Sequence, residues 1–304
     1  MIKDDLIDSF QQDCKLRNFA TARVYARTAK NYCRWMEENQ MDVFSVTNRE
    51  LKEYLHYLHE DRHLKFESIR RIFSHVGSFY DYLVDEGMVT SNPIPTFVKR
   101  YLSLYKKNDS ERRQLVSIQE AAKLVSATLE TRDRAIILLF LKTGMRLGEM
   151  AKLDVSDIDP ERMTLTLKPT AKRSNRMLFF DHETALALQR WLNVRELRKG
   201  HDGPALFLSN QGKRICRNHI SALVAKHAEV VGLHNPTSPR LDEKFGPHCC
   251  HHWFTTHLLR AGMRREYVKW LRGDSIREAI DIYYHIDPED VRRSYMACIP
   301  QLGV

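Results

Sequence analysis

The stretch TGMRLGEM, residues 143–150, follows a strongly apolar segment over residues 133–143. The Thr-Gly pair predicts that the apolar helix ends here, because glycine readily adopts the left-handed conformation found at helix C-termini. Arg146 then stands at the start of the next helix, where its planar guanidinium and the helix N-terminus both favour a phosphate. A surface ion pair with Glu149 is the alternative interpretation of the same arginine.

A predicted β-hairpin lies downstream of this turn. Residues 163–167 alternate in polarity and are rich in Thr and Leu, and residues 176–180 form a second such run, so both are expected to be strands. The turn between them carries Lys168, Lys172 and Arg173. Cations at a β-turn can reach a phosphate or enter a minor groove, although a solvated turn has the same composition.

A histidine cluster follows in PHCCHHWFTTHL, residues 247–258. Three imidazoles close together, His248, His251 and His252, indicate acid–base or phosphate chemistry. The two cysteines inside the cluster leave zinc binding as an alternative. The rest of the chain, however, has no CxxC pair that would complete a tetrahedral site.

Two adjacent tyrosines occur in IYYH, residues 282–285, after LRGD at residues 271–274. A tyrosine is a weak nucleophile at neutral pH and needs a lowered pKa or a nearby base. A phosphate held by cations supplies the field that favours its attack. Packing near a C-terminal helix is the alternative interpretation of both side chains.

The remaining sequence predicts two domains and a linker. Residues 1–101 show helical spacing of apolar side chains and are expected to be a helical domain with an aromatic core. Residues 102–115 are polar and aperiodic, as in an interdomain linker, and residues 116–304 are expected to form a mixed domain. Helices are predicted over residues 20–36, from 45–50 onward, 66–83, from 117–120 onward, 133–143, 182–198, 218–231, 253–261, 266–271 and 276–285.

The composition favours a globular protein with a polyanionic partner. No run of 18 apolar residues is present, and the polar, acidic start does not resemble a signal peptide, so a cytoplasmic location is expected. The net charge is +9, of which residues 1–110 contribute +1 and residues 111–304 contribute +8. A basic excess favours nucleic acid, although solvated Lys and Arg faces are common in proteins without such a partner.

Taken together, these motifs resemble the tyrosine recombinases of the phage-integrase family over nearly the whole chain. In that family an Arg follows Thr-Gly, a Lys sits on a hairpin turn, a His-x-x-Arg pair comes next, and the nucleophilic Tyr lies in an Ile-Tyr-x-His setting. The matching residues here are Arg146, Lys172 (with Lys168 as an alternative), His248 and Tyr283, with Tyr284 as the weaker candidate nucleophile.

Two positions depart from the family pattern. Asp274 stands where the family has His or Trp after Leu-Gly, nine positions before Tyr283. His251 stands where the family has its second arginine, and an imidazole offers fewer donors than a guanidinium and can be neutral. Four explanations stay open: a protonated His251, help from His252, a weakened natural homologue, or a deliberate Arg→His change.

The resemblance implies a fold, an activity and partners. The expected fold is mainly α with a small β-hairpin or sheet, in which a helical SAM-like core-binding domain and a mixed α/β catalytic domain form a C-shaped clamp. The implied activity is site-specific DNA recombination, that is integration or excision, through a covalent 3′-phosphotyrosine and without metal, ATP or cofactor. The implied partners are double-stranded DNA and, in a synaptic tetramer, further copies of the chain. The residues expected to contact DNA are Arg70, Arg71, Arg173 and Arg176.

Three other functions remain open at this point. A DNA-binding relative without cleavage activity is favoured by His251 and Asp274, a topoisomerase-like enzyme would use the same tyrosine, and a zinc-binding regulator would use the His/Cys cluster. The segment after Tyr283 is expected to dock on a neighbouring protomer, with packing on its own domain as the alternative.

Overall fold

A computed structural model describes residues 4–19, 21–103, 114–169, 175–197, 203–274 and 286–304. The chain separates into two compact units, Met1–Asn108 and Asp109–Val304. The described residues are mainly helical with one small sheet, which confirms the expected fold class. In the part of the chain that the structure describes, no helix combines the length and hydropathy that a membrane crossing requires.

The first unit is built of helices around an aromatic core. Two of its buried tyrosines satisfy their hydroxyl groups internally, because Tyr32 Oη lies 3.0 Å from Tyr80 Oη, which donates to the carbonyl of Val43 at 2.9 Å. Thr47 and Glu50 form the capping box that starts the third helix. The helices are α1 Asp4–Leu16, α2 Ala22–Glu38, α3 Asn48–His56, α4 Phe66–Asp85 and α5 Ile94–Phe97.

The second unit is organised around one largely buried helix with an apolar middle. Residues 135–141 of that helix are at most 1% exposed, because other elements pack on every side of it. Ser117 and Glu120 form the predicted capping box, with the Ser117 Oγ accepting from the Glu120 N–H at 3.1 Å. The helices are α6 Ile118–Ala127, α7 Thr131–Thr143, α8 Leu147–Met150, α9 His182–Glu196, α10 Arg217–Val230, α11 Pro247–Arg260, α12 Arg265–Arg272 and α13 Pro288–Cys298. The buried helix is α7, which packs against α9 and α11.

The sheet has three antiparallel strands in the order β1-β2-β3. The predicted strands are confirmed as β2 Thr164–Thr166 and β3 Met177–Phe179, paired with Leu165 opposite Leu178. Strand β1, Ile158–Asp159, was not predicted, because two residues are too few to show an alternating pattern. The hairpin turn at residues 170–174 lies outside the described residues.

Several helices differ from the sequence prediction. Helix α11 begins at Pro247, six residues earlier than expected, because its first turn holds a proline, a histidine and two adjacent cysteines, which give no helical apolar period. Helices α1, α5 and α13 were not predicted. The predicted helix over residues 276–285 lies outside the described residues.

In the single chain the end of the C-terminal segment packs on its own domain, which was the alternative interpretation, and docking on a neighbouring protomer stays a prediction. Lys142, with 0% of its side chain exposed, lies 2.5 Å from both Asp181 and Glu183 and 2.7 Å from the carbonyl of Pro300. Glu183 also accepts the backbone N–H of Leu302 at 3.0 Å. A buried ammonium requires such partners, and the tail supplies one of them.

Candidate active site

The turn after α7 requires glycine at residue 144. Gly144 has φ +59°, and a Cβ atom there would lie 2.3 Å from Cδ1 of Phe254. Both the left-handed conformation and the close approach therefore exclude other residues. The N–H of Met145 donates to Thr143 Oγ1 at 3.3 Å. This tight turn places Arg146 directly before α8.

Arg146 pairs with Glu149, the partner named in the alternative interpretation, but the Glu149 carboxylate is buried and the Arg146 guanidinium still faces solvent. Its N–H donates to Glu149 Oε2 at 2.7 Å, and its Nη1 lies 3.3 Å from Glu149 Oε1. The same Nη1 donates to the carbonyl oxygen of Arg272 at 3.3 Å. The Arg146 side chain is 38% exposed whereas that of Glu149 is 5% exposed. The buried carboxylate therefore orients a guanidinium that still faces solvent.

His251 lies beside this turn in an electrically neutral form. Its Nδ1 is 2.5 Å from the carbonyl oxygen of Gly144, and a carbonyl only accepts, so Nδ1 carries the proton. Burial lowers the pKa of the His251 imidazole, the hydrogen bond to Gly144 opposes this in part, and the nearby positive charges of Arg272 and Arg146 lower it further. At neutral pH its Nε2 is therefore an acceptor and not a donor.

The other histidines of α11 separate into two groups. His248 and His252 are exposed, and the His248 ring lies 6.0 Å from the ring of His251 and 4.8 Å from that of His252. His257 is buried, with Nε2 3.2 Å from the carbonyl of Val116, so it belongs to the core. Three imidazoles thus meet on one face of α11.

Asp274 lies between two arginines. Gly273, with φ +61°, ends α12 in the left-handed conformation and turns the chain so that Asp274 follows the last helical residue, Arg272. Asp274 Oδ2 lies 3.1 Å from Arg272 Nε, and its Oδ1 lies 3.9 Å from Arg146 Nη2. Its carboxylate thus bridges the two guanidinium groups.

Arg272 is the member of this cluster that sequence reasoning missed. It stood inside the LRGD motif, but spacing along the chain does not show that the end of α12 lies against Arg146. The available signal was the arginine itself, directly before the glycine, where the family pattern has leucine.

Lys168 is held by two carboxylates. Its Nζ lies 2.8 Å from Asp157 Oδ1 and 2.9 Å from Asp154 Oδ2. These hydrogen bonds raise the pKa of the Lys168 ammonium. Arg214 shares the same site, with Nη2 2.6 Å from Asp154 Oδ1.

The remaining predicted positions lie elsewhere. Arg176 is exposed beside β3 in the second unit, and Arg70 and Arg71 are exposed on α4 of the first unit. The predicted residues that lie outside the described part of the chain are Lys172, Arg173, Tyr283 and Tyr284.

The described residues give the zinc hypothesis no support. Among them, no group of three or more His, Cys, Asp or Glu side chains is placed to hold a metal ion. Cys250 is fully buried, which raises the pKa of its thiol well above the usual range. The Sγ of Cys249 lies 3.4 Å from the carbonyl of Lys244, as expected for a core thiol.

Comparison with known proteins gives the family. The sequence profile of the phage integrase family matches residues 109–290, and that of the phage integrase N-terminal SAM-like domain matches residues 6–88. The chain belongs to the phage integrase family. The matched part of this phage-integrase chain includes the turn at Gly144, the histidines of α11 and the arginines bridged by Asp274.

Several relatives match this phage-integrase chain over most of its length. It is 27% identical to tyrosine recombinase XerD of Chlorobaculum tepidum over 94% of this chain and 92% of that protein. It is 30% identical to tyrosine recombinase XerC of Alcanivorax borkumensis, over 77% of this chain and 74% of that protein.

Solved structures share its fold. The Tn1549 transposon integrase, in complex with transposon right end DNA, matches with a TM-score of 0.69 and 18% identity over 96% of this chain and 98% of that one. A lambda integrase dimer bound to a COC′ core site matches with a TM-score of 0.69 and 16% identity over 91% of this chain and 96% of that one.

Proposed function

We propose that this chain is a site-specific DNA recombinase that cuts and rejoins strands through a covalent 3′-phosphotyrosine at Tyr283. The observation that carries the proposal is the convergence of Arg146, the His248–His252 face and the Asp274 turn within the part of the chain that matches the phage integrase family. A DNA-binding relative without chemistry would not need a glycine turn and a buried carboxylate that orient an open arginine.

The proposed reaction begins with phosphate binding. Arg146 and His248 hold the scissile phosphate and offset the charge that grows on its oxygens. The Tyr283 oxygen attacks phosphorus, the bond from phosphorus to the 5′ oxygen breaks, and an imidazole of the histidine face accepts the phenolic proton. The products are a 3′-phosphotyrosine and a free 5′-hydroxyl, and a 5′-hydroxyl from a partner duplex reverses the step. The phosphodiester bond energy is conserved, so the scheme calls for neither ATP nor metal.

The 5′ oxygen leaves as an alcohol only if it receives a proton, and we propose Lys172 as the donor. Lys168 is the alternative, but its ammonium already donates to Asp154 and Asp157. Those two carboxylates hold its proton more tightly and reduce its value as a general acid. Lys172 occupies the same hairpin turn in sequence.

His251 weakens the phosphate clamp in this proposal. A neutral imidazole that donates to Gly144 offers the phosphate no hydrogen from Nε2. One oxyanion donor is worth about 3–4 kcal/mol of transition-state stabilisation. We expect slow but measurable cleavage because other cations face the same site.

The partners in this proposal are double-stranded DNA and other copies of the chain. Residues 1–101 act as the core-binding domain and residues 116–304 as the catalytic domain, joined by residues 102–115. Phosphate and groove contacts come from arginines of both domains, and four protomers hold two duplexes during exchange in the cytoplasm. The proposed DNA-contacting arginines are Arg70, Arg71, Arg173 and Arg176.

A suicide-substrate assay tests this function. Duplexes are first selected from a random-sequence pool by binding to the full chain, and each is then nicked so that a cleaved strand cannot be rejoined. The unaltered chain should form a covalent adduct that Tyr283→Phe abolishes and the matched control Tyr284→Phe retains. No adduct from the unaltered chain or from His251→Arg, on DNA that both bind, would identify a DNA-binding relative instead.

A further inference from the structure

The last residue of α12 presents a second guanidinium to the proposed phosphate site. Arg272 is only one-third exposed, and its buried Nε lies 3.1 Å from Asp274 Oδ2 in an ion pair whose angle does not make a hydrogen bond. The neighbours Val268 and Leu271 anchor the same helix in the core. A buried donor of this kind is costly unless it serves a purpose, and the family pattern has leucine at this position.

The position of Arg272 relative to Arg146 is fixed from two directions. Arg146 Nη1 donates to the carbonyl oxygen of Arg272 at 3.3 Å, which joins the end of α12 to the start of α8. The Asp274 carboxylate lies 3.1 Å from Arg272 Nε and 3.9 Å from Arg146 Nη2. The backbone and the carboxylate together keep the two arginines side by side despite their like charges.

We propose that Arg272 supplies the second guanidinium that holds the scissile phosphate, in place of the one that is missing at His251. This inference rests on the proposed function of the site. The Nε edge of Arg272 stays with Asp274, and its Nη atoms bind a phosphate oxygen next to Arg146. Asp274 is then a positioning residue, which explains why an acidic side chain is tolerated where the family has a donor.

The charge of the cluster suits this arrangement. Glu149 and Asp274 are each held by an arginine and so balance the two guanidinium charges before DNA binds. The guanidinium forks have fixed planar geometry, so the edge that is not used by a carboxylate remains suited to phosphate. His251 cannot fill that role while its Nδ1 donates to Gly144.

Single-turnover cleavage on the selected suicide duplex tests the inference. Arg272→Ala should lower the rate of adduct formation by about 10²–10³-fold, the usual loss for one such donor, while DNA affinity and melting temperature stay unchanged. Arg272→Lys keeps the charge but not the fork and should fall in between. Arg265→Ala, an exposed arginine at the other end of α12, is the matched control and should cleave normally.

A second substrate separates a phosphate contact from a structural role. A methylphosphonate at the scissile position carries no negative charge, so a variant that lacks only a phosphate-neutralising cation should recover most of its loss. A variant that is misfolded should lose the same factor on both substrates. Adding His251→Arg to Arg272→Ala should also restore cleavage, because it returns a guanidinium to the site.

Each outcome decides the inference. Cleavage by Arg272→Ala at the rate of Arg265→Ala, or an equal loss on phosphate and methylphosphonate, overturns the role of Arg272 and leaves the recombinase function intact. If neither the unaltered chain nor His251→Arg forms an adduct, the proposed function fails and the inference fails with it.

Discussion

The Nδ1 atom of His251 lies 2.5 Å from the carbonyl oxygen of Gly144. The residue at the family's second arginine position is thus tied to the turn that carries the first arginine. An arginine at residue 251 would present a charged guanidinium at this point. The neutral imidazole instead donates its single N–H to the carbonyl oxygen of Gly144. The positive charge of this site therefore depends on the protonation of His251 and on the guanidinium of Arg272.

His251→Arg should raise the rate of covalent adduct formation. The gain should be smaller than the about 10²–10³-fold that one oxyanion donor is usually worth, because Arg272 already supplies a guanidinium. Single-turnover cleavage at saturating protein measures this rate. An unchanged or lower rate, with DNA affinity retained, would show that the imidazole has a function of its own.

The advantage of His251→Arg over the unaltered chain should depend on pH. Burial, together with Arg272 and Arg146, lowers the pKa of His251 below its usual value of about 6.5. The imidazole is therefore neutral at neutral pH. It gains a proton, and with it a second N–H donor, only when the pH falls below its lowered pKa. The ratio of the two rates should be largest at and above neutral pH and should shrink on acidification. A constant ratio across this range would show that protonation of His251 does not contribute.

Gly144→Ala should destabilise the second unit and distort the site. The substitution forces a left-handed alanine, which costs about 1–2 kcal/mol, and places its Cβ 2.3 Å from Phe254, which adds about 1–3 kcal/mol of overpacking. Gly232→Ala is the matched control, because Gly232 has φ +80° and open space around it. Urea unfolding should show a clearly larger loss for Gly144→Ala, and equal losses would remove the packing argument.

The sequence predicted those features that depend on local chemistry. Neighbouring residues alone predict the Ser117–Glu120 capping box and the end of α7 at Gly144. They also predict the paired strands β2 and β3. The pairing of Arg146 with Arg272 joins residues 126 positions apart, and no local pattern encodes it. The start of α11 was missed because its first turn, Pro-His-Cys-Cys, has no helical apolar spacing. The packing of the tail depends on the buried Lys142.

Lys142→Met should test how the tail is held. The buried ammonium bonds to Asp181, Glu183 and the carbonyl of Pro300. Its removal leaves two carboxylates in the interior without their counter-ion, which costs about 3–5 kcal/mol. Lys168→Met is the matched control, since Lys168 also contacts two carboxylates but its side chain is 39% exposed, and pairs that water reaches contribute little. Similar losses in denaturant unfolding for both variants would contradict the role assigned to burial.

A sulfur-substituted substrate should distinguish Lys172 from Lys168 as the general acid. If the bridging 5′ oxygen at the scissile phosphate is replaced by sulfur, the leaving group is a thiolate, which departs without a proton because thiols are far more acidic than alcohols. Lys172→Ala should cleave the ordinary substrate slowly and the sulfur substrate at close to the unaltered rate. Lys168→Ala should show no such recovery, because its ammonium is occupied by Asp154 and Asp157. Recovery with Lys168→Ala alone would move the proton donor to Lys168 and would require its two carboxylates to release it when DNA binds.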